Sequence, residues 1–254
     1  MNNQILTLYH GSDHILPNPT YGFGKADNDY GSGFYTTADK DKAADWAVAS
    51  GGVGAYVNIY QIDTTGLNVV NLDESGTLAW IAEIVYNRGA RGEAAMILAK
   101  RLSDLYKVDL SDADIVIGYR ADDSYSDIVD AFLQNQLNID EVNRLFHKGE
   151  LGLQYFIKSE KAFERLEYKG NEIINTKDYT NENERYARSE VSQFLRQRTS
   201  QIYVNGYQPQ GITAREAVNH VYEYNKEYSY YSIKDNIRQI DAFKELEDDY
   251  EVER

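Results

Sequence analysis

Cysteine is absent from this 254-residue chain, which excludes disulfides, thiolate nucleophiles and cysteine-ligated metals together. That absence suits a reducing compartment. Histidine is scarce: His10, His14, His147 and His220 are the only four, and none forms a His-x-x-x-His pair, so no metal site is expected. Basic charge is outnumbered, 26 Lys and Arg against 41 Asp and Glu, for a formal net charge of −15. A surface that acidic repels phosphate backbones on average, which excludes a general nucleic-acid-coating role but not a local basic groove. No run nears the ~20 apolar residues a membrane helix needs. Met1 to Leu6 lacks a basic region followed by a long apolar run, so no signal peptide is expected. These absences read together as a cytoplasmic bacterial-type protein without a membrane role. The length allows one large domain, or a domain plus an extension, with a real core.

What is present has a clear order. Ile5 to Tyr9 alternates and reads as a first strand leading into His10. The Pro17–Pro19 pair and the glycines from Gly22 to Gly33 mark a long loop. Phe34 to Thr37 is a short β stretch, and Asp39 is placed to cap a helix running to Ala49. The runs AYVNIYQIDT (55–64) and LNVVNL (67–72) read as strands, followed by helical patterns over Thr77–Tyr86 and Glu93–Tyr106. ADIVIGYRADD (113–123) is a buried strand entering an acidic loop, and Asp127–Phe146 reads as two helices broken near Asn138. Leu153–Ile157 is a strand, followed by a helical turn and a last strand. This gives an α+β body over residues 1–175. Residues 176–254 form a helical, tyrosine-rich C-terminal extension, in which Thr213 and Glu216 fit a capping box. Most of the chain's 22 tyrosines are read as ordinary helix packing with solvent-tipped rings.

The densest chemistry lies in residues 8–47. His10 ends a strand and precedes Gly11, where a backbone can approach a ligand closely. Tyr35 follows Gly31-Ser32-Gly33 on a flexible approach, and Trp46 lies one helix further on. Two aromatic faces with a polar histidine between them suit a flat cationic ring, because a π-face attracts a desolvated cation. The nicotinamide of NAD+ is such a ring. On residue types alone the competing reading stands beside it: aromatics near an Ala-rich helix are more often core than cofactor box. The Gly22–Gly24 pair lacks a strand-turn-helix unit and is discarded as a dinucleotide fingerprint.

The stretch resembles the ADP-ribosyltransferase superfamily, in its diphtheria-toxin and poly(ADP-ribose) polymerase branch with a His-Tyr-Glu triad. The places that carry the likeness are His10-Gly11-Ser12, Gly31-Ser32-Gly33-Phe34-Tyr35, Lys42, and Ala44-Asp45-Trp46. Tyr35 to Lys42 and Tyr35 to Trp46 keep that branch's spacings of seven and eleven. More closely, the pattern is similar to a bacterial family of unknown function, number 3990 in its series, with a "YHGS…DYGSGFYTT…A..WA" signature and a later DIVIGYRADD strand. The likeness covers about residues 5–170. It implies the ADP-ribosyltransferase fold: two small packed sheets around an NAD+ cleft, with flanking helices. It further implies NAD+ as co-substrate without a metal. His10 would bind the nicotinamide ribose, the Gly11 backbone the carboxamide, and Ser12 the same region. Tyr35 and Trp46 would stack on the nicotinamide; Lys25 and Lys42 could contact the diphosphate, with a surface lysine as the default reading for both.

The third triad position departs from the branch. Its glutamate falls on Gln154, in Gln154-Tyr155-Phe156-Ile157-Lys158. A glutamate there holds the ribose 2′-hydroxyl and supports an oxocarbenium-like transition state, as carboxylates do in glycosidases. Glutamine keeps the hydrogen bond, loses the charge and cannot act as a general base. Three readings stay open: glutamine suffices for single transfer, another carboxylate substitutes, or the site binds without turnover. The first is favoured, since departure of a cationic nicotinamide already lowers the barrier. The expected activity is therefore mono-ADP-ribosyl transfer to a protein or nucleic-acid acceptor, with His10, Tyr35 and Gln154 as catalytic residues. By resemblance the setting is a bacterial toxin, with an antitoxin or other partner at the extension, or a phage-defence effector. The alternatives are an NAD+ glycohydrolase and a catalytically weak NAD+ or ADP-ribose sensor. Glu182-x-Glu184, Glu245-x-Glu247 and Arg188-Ser189-Glu190 read as solvated charge, with Glu190 in reach of the cleft if the tail folds back; His14 and His147 read as surface or capping residues, and Asp122 and Asp123 as turn formers or, by the resemblance, as acceptor-side residues.

Overall fold

Alternation along the strands sets the frame of the molecule. The computed structural model describes residues 5–50, 54–120, 123–147, 152–177, 179 and 182–220. Its strands are β1 (Ile5–Ser12), β2 (Phe34–Thr36), β3 (Tyr56–Asp63), β4 (Val69–Asn71), β5 (Ile115–Tyr119), β6 (Leu153–Ile157) and β7 (Leu166–Ile173). Its helices are α1 (Lys40–Ala49), α2 (Thr77–Arg88), α3 (Glu93–Tyr106), α4 (Asp123–Leu133), α5 (Ile139–His147), α6 (Glu160–Phe163), α7 (Glu182–Asn205) and α8 (Ala214–Asn219). Sheet one has the order β1-β3-β7 and is antiparallel throughout. Sheet two has the order β2-β6-β5-β4, antiparallel except for the parallel β4–β5 pair. The protein is thus α+β with two small sheets, as expected.

Each sheet buries both faces, which makes four layers. Between the sheets, Leu8, Tyr60 and Ile62 of sheet one meet Phe34, Ile115 and Ile157 of sheet two. On the far side of sheet one, the small residues Ala43, Ala44 and Ala47 let α1 lie close against Val57. On the far side of sheet two, Val116 and Phe156 join a large core made by α2 to α5. The period-two pattern therefore sends Tyr35, Gln154 and Phe156 to the helical face of sheet two, and Phe34, Tyr155 and Ile157 inward.

β1 runs past Tyr9, so His10-Gly11-Ser12 lies within the strand rather than in a turn after it. α4 begins at Asp123, ahead of the expected Asp127. Val191, Ala214, Ala217 and Val218 from α7 and α8 are buried in the same core as α2 to α5. Thr213 and Glu216 form the expected capping box: Thr213 N–H donates to Glu216 Oε2 at 2.9 Å, and Glu216 N–H to Thr213 Oγ1 at 3.4 Å. Arg198 of α7 makes a forked pair with Glu141 of α5, both side chains under 10 % exposed. The end of the extension, including Glu245-x-Glu247, and Asp122 lie outside the described residues. Among the described residues, no helix is long and apolar enough to cross a membrane.

The Arg198–Glu141 pair tests how firmly α7 is docked. Removing one member of a buried pair leaves an uncompensated charge, so Arg198→Ala is expected to lower unfolding stability by about 3–5 kcal/mol. Urea unfolding followed by circular dichroism reads this directly. A loss under ~0.5 kcal/mol would show that α7 is not part of the cooperative unit.

Candidate functional site

The site begins where β1 reaches the edge of sheet two. Tyr9 and Thr37 exchange both backbone bonds, Tyr9 N–H to Thr37 O at 2.7 Å and Thr37 N–H to Tyr9 O at 2.9 Å. One residue on, His10 Nδ1–H donates to the Tyr35 carbonyl at 2.8 Å. A carbonyl only accepts, so this bond places the proton on Nδ1 and leaves Nε2 as an acceptor in the neutral ring. Burial lowers the His10 pKa below the ordinary 6.5, partly opposed by the Tyr35 bond and assisted by nearby His14. The ring packs on Phe34, centroids 4.6 Å apart. Beside it, buried Asn58 donates from Nδ2 to Ser12 Oγ at 3.1 Å and to the His14 carbonyl at 3.2 Å, and its Oδ1 accepts from Leu16 N–H at 2.8 Å. Ser12 Oγ donates to the His14 carbonyl at 2.5 Å, so the serine hydroxyl is spent on the turn that follows β1.

Gly11 has two constraints. The strand period sends its N–H and C=O to the same edge as those of Tyr9, one step beyond the Tyr9–Thr37 pair. Its missing Cβ makes room for α1, because an added Cβ would sit 1.8 Å from the Ala43 carbonyl oxygen. The glycine that reads as a ligand approach is thus also a helix-packing glycine. α1 itself starts where Asp39 Oδ1 accepts from Asp41 N–H (2.9 Å) and Lys42 N–H (3.2 Å).

Tyr35 is held more firmly than its glycine-flanked position implies. Its hydroxyl donates to the Gly31 carbonyl at 2.8 Å and accepts from Tyr30 N–H at 3.0 Å. Its ring lies against Phe156 (4.8 Å) and stacks near-parallel with Tyr30 (6.4 Å). Gly33 is locked as well, since a Cβ there would fall 2.2 Å from the Phe156 ring. Burial pushes the Tyr35 phenol far above its usual range, so it stays protonated as a donor. The approach is rigid rather than flexible.

Gln154 shares the helical face of sheet two with Tyr35 and is 3 % exposed. Its Nε2 donates to Asp29 Oδ2 at 2.8 Å and to the Tyr119 carbonyl at 3.2 Å. Asp29, 7 % exposed, also pairs through Oδ1 with Arg88 at 3.0 Å, while its backbone carbonyl accepts from Asn87 Nδ2 at 3.0 Å. The Tyr119 carbonyl accepts from Tyr30 Oη (2.5 Å) and Trp80 Nε1 (3.3 Å) too. A buried polar network therefore surrounds Gln154.

The far wall comes from α1. Arg120, next after β5, lays its guanidinium over the Trp46 ring, 4.8 Å from the centroid. Trp46 Nε1 is buried and meets no acceptor among the described residues. The Lys42 stem lies by the chain entering β6, where a Cβ on Gly152 would be 3.6 Å from Lys42 Cγ.

The sequence-predicted residues are linked by three routes, one a direct contact and two passing through chain neighbours. His10 reaches Tyr35 directly, Trp46 reaches Gln154 through Arg120 and Tyr119, and Lys42 reaches Gln154 through Gly152. The Tyr35 and Trp46 rings do not touch each other; their contacts are Tyr30 and Phe156 for one and Arg120 for the other. Asp29, Arg88, Asn58 and Arg120 were not foreseen. Asp29 and Gln154 stand 125 positions apart, so no local spacing marks them as a pair. Lys25 is exposed, His14 pairs with exposed Asp13, and His147 Nδ1 bonds the Asn143 carbonyl at 2.7 Å as a capping residue. No group of three or more His, Cys, Asp or Glu arranged to hold a metal occurs among the described residues.

The family model described as "Protein of unknown function (DUF3990)" matches residues 6–168, and the chain belongs to that family. No curated protein and no solved structure matches.

Because the folded state holds His10 neutral, acid must work against it. Stability and ligand binding that depend on His10 are fully present above pH 6.5 and fall as the pH drops below it toward the lowered pKa. Thermal unfolding and binding measured between pH 5 and 8 should show this loss in the wild type and a smaller one in His10→Asn. An equal slope in both proteins would assign the effect to other groups.

Proposed function

We propose that this protein is an NAD+-dependent mono-ADP-ribosyltransferase with the ADP-ribosyltransferase fold. The observation that carries the reading is the bond from His10 Nδ1 to the Tyr35 carbonyl. It joins the first two motif positions at the meeting edges of two sheets, with Gln154 on the Tyr35 face. The two-sheet α+β architecture is compatible with that fold.

The residues present suit the substrate. His10 Nε2 is an acceptor for a hydroxyl of the nicotinamide ribose. The Gly11 N–H and C=O offer the donor and acceptor that a carboxamide needs. Trp46 offers a π-face that already holds a planar cation, Arg120, and an indole N–H without an acceptor. Arg120 leaves that face when the nicotinamide ring takes it. Lys42 lies on the same wall, for the diphosphate. In the reaction the bond between nicotinamide nitrogen and ribose C1′ breaks and its electron pair leaves with nicotinamide. A lone pair of the acceptor forms the new bond at C1′, and the acceptor's proton passes to solvent. Tyr35 and His10 hold the sugar and ring while cationic character develops, and Gln154 faces that charge without neutralising it.

By resemblance the acceptor is macromolecular, in a bacterial toxin or phage-defence setting with a partner at the extension. One observation favours a second reading, a module that binds NAD+ or ADP-ribose with little turnover: Gln154 carries no charge.

Incubation with NAD+ labelled in its adenylate phosphate, in bacterial lysate, tests both. Label should enter macromolecules, and protease or nuclease treatment then identifies the acceptor class. His10→Ala should cut kcat/KM by about a hundredfold through lost orientation. Trp46→Leu should raise KM about five- to thirtyfold, the worth of a desolvated cation–π contact. Free ADP-ribose without macromolecular label would identify a glycohydrolase. Binding without release of nicotinamide would favour the sensor. Neither binding nor release would end the reading.

A further inference from the structure

Gln154 is buried with its amide already committed. The Tyr119 carbonyl can only accept, so the group 3.2 Å from it is Nε2, which fixes the amide orientation. The second Nε2 hydrogen goes to Asp29 Oδ2 at 2.8 Å. Among the described residues no protein donor reaches Gln154 Oε1, which leaves that oxygen as the atom available to a ligand. Asp29 is itself fixed from α2, by Arg88 on its carboxylate and Asn87 on its backbone carbonyl. A carboxylate, an amide and an open oxygen therefore stand in line at the place where the resembling enzymes carry a glutamate.

Resting on the transferase reading above, we propose that Asp29 is the positioning carboxylate of this site and acts through the Gln154 amide. Asp29 polarises that amide, so Oε1 presents more negative charge to the ribose 2′-hydroxyl and the cation forming at C1′ than a solvated glutamine does. The same geometry explains why position 154 is not a glutamate. A carboxylate there would face Asp29 at hydrogen-bond distance, and two carboxylates so close cannot both stay ionised. Asp29 with Gln154 is one unit, a carboxylate–amide pair whose order is reversed relative to an amide–carboxylate pair.

The test uses the full chain and four proteins: wild type, Asp29→Asn, Gln154→Glu, and the double variant Asp29→Asn/Gln154→Glu. Nicotinamide release gives kcat and KM for NAD+, with thermal unfolding as a check on folding. Asp29→Asn should lose at least about tenfold in kcat with a smaller change in KM, since its role lies in the transition state. Gln154→Glu alone should also lose activity, because Arg88 keeps the shared charge on Asp29 and the new carboxyl stays neutral. The double variant restores a carboxylate–amide pair and should recover kcat to within several-fold of wild type. A merely structural Asp29 predicts additive losses and no recovery. If Asp29→Asn does not fold, the double variant decides: folded and active supports the pairing, folded and inactive overturns it. Wild-type kcat in Asp29→Asn overturns this inference alone and leaves the transferase reading intact. Wild type that binds NAD+ without turnover overturns it too, while failure to bind NAD+ at all removes the underlying reading.

Discussion

One short seam holds the site together. Tyr9 and Thr37 exchange two backbone hydrogen bonds, and through them the edge of sheet one meets the edge of sheet two. Everything nearby inherits that register. The next residue, His10, comes within reach of the Tyr35 carbonyl and rests on Phe34. Two residues on, Gly11 faces the same edge and lets α1 pack without a Cβ. Thr37 Oγ1 also accepts from Asp39 N–H at 3.1 Å, and Asp39 caps α1. The strand seam thus sets where the helix bearing Lys42 and Trp46 begins. A slip of one residue would turn His10 to the helix side and Gly11 inward, because the side-chain period is two.

The second organising element is charged and buried on one side only: Asp29 lies inside, while Arg88 reaches it from an exposed position. Asp29 loses hydration on burial, and the hydrogen-bonded Arg88 guanidinium offsets part of that cost while staying in touch with solvent. The network around them is dense: Tyr30, Trp80 and Gln154 all donate to the Tyr119 carbonyl, and Asn87 ties the Asp29 backbone to α2. Such a network contributes specificity of geometry more than stability. Burial also raises the Tyr30 and Tyr35 phenols, so these rings remain neutral donors.

The local parts of this design were legible in the sequence. Alternation gave β3 and β6, the Asp39 cap gave α1, and the Thr213–Glu216 box gave α8. The placement of Tyr35, Lys42 and Trp46 was legible because all three belong to one continuous β2–α1 unit, whose register is fixed by the chain itself. The Asp29–Gln154 contact was not, since Asp29 lies in the loop before β2 and meets β6 only through tertiary folding, 125 positions away. Gly11 and Gly33 were read as room for a ligand and for motion, but each also admits a neighbouring element, α1 in one case and the Phe156 ring in the other. Sequence shows that a side chain is missing; it does not show what fills the space.

Charge gives the site its remaining logic. The chain carries a formal −15, yet Lys42, Arg88 and Arg120 gather about Gln154 and Trp46. Arg88 pairs with buried Asp29 from the exposed end of α2. Lys42 and Arg120 sit on the opposite wall, one by Gly152 and the other over Trp46. On the transferase reading, these two offer an anionic diphosphate local relief from a field that otherwise repels it. On that same reading Arg120, observed over Trp46, would have a second position toward the phosphates once a nicotinamide ring took the π-face. The cation that guards the stacking face in one position would thereby be available to the diphosphate in the other.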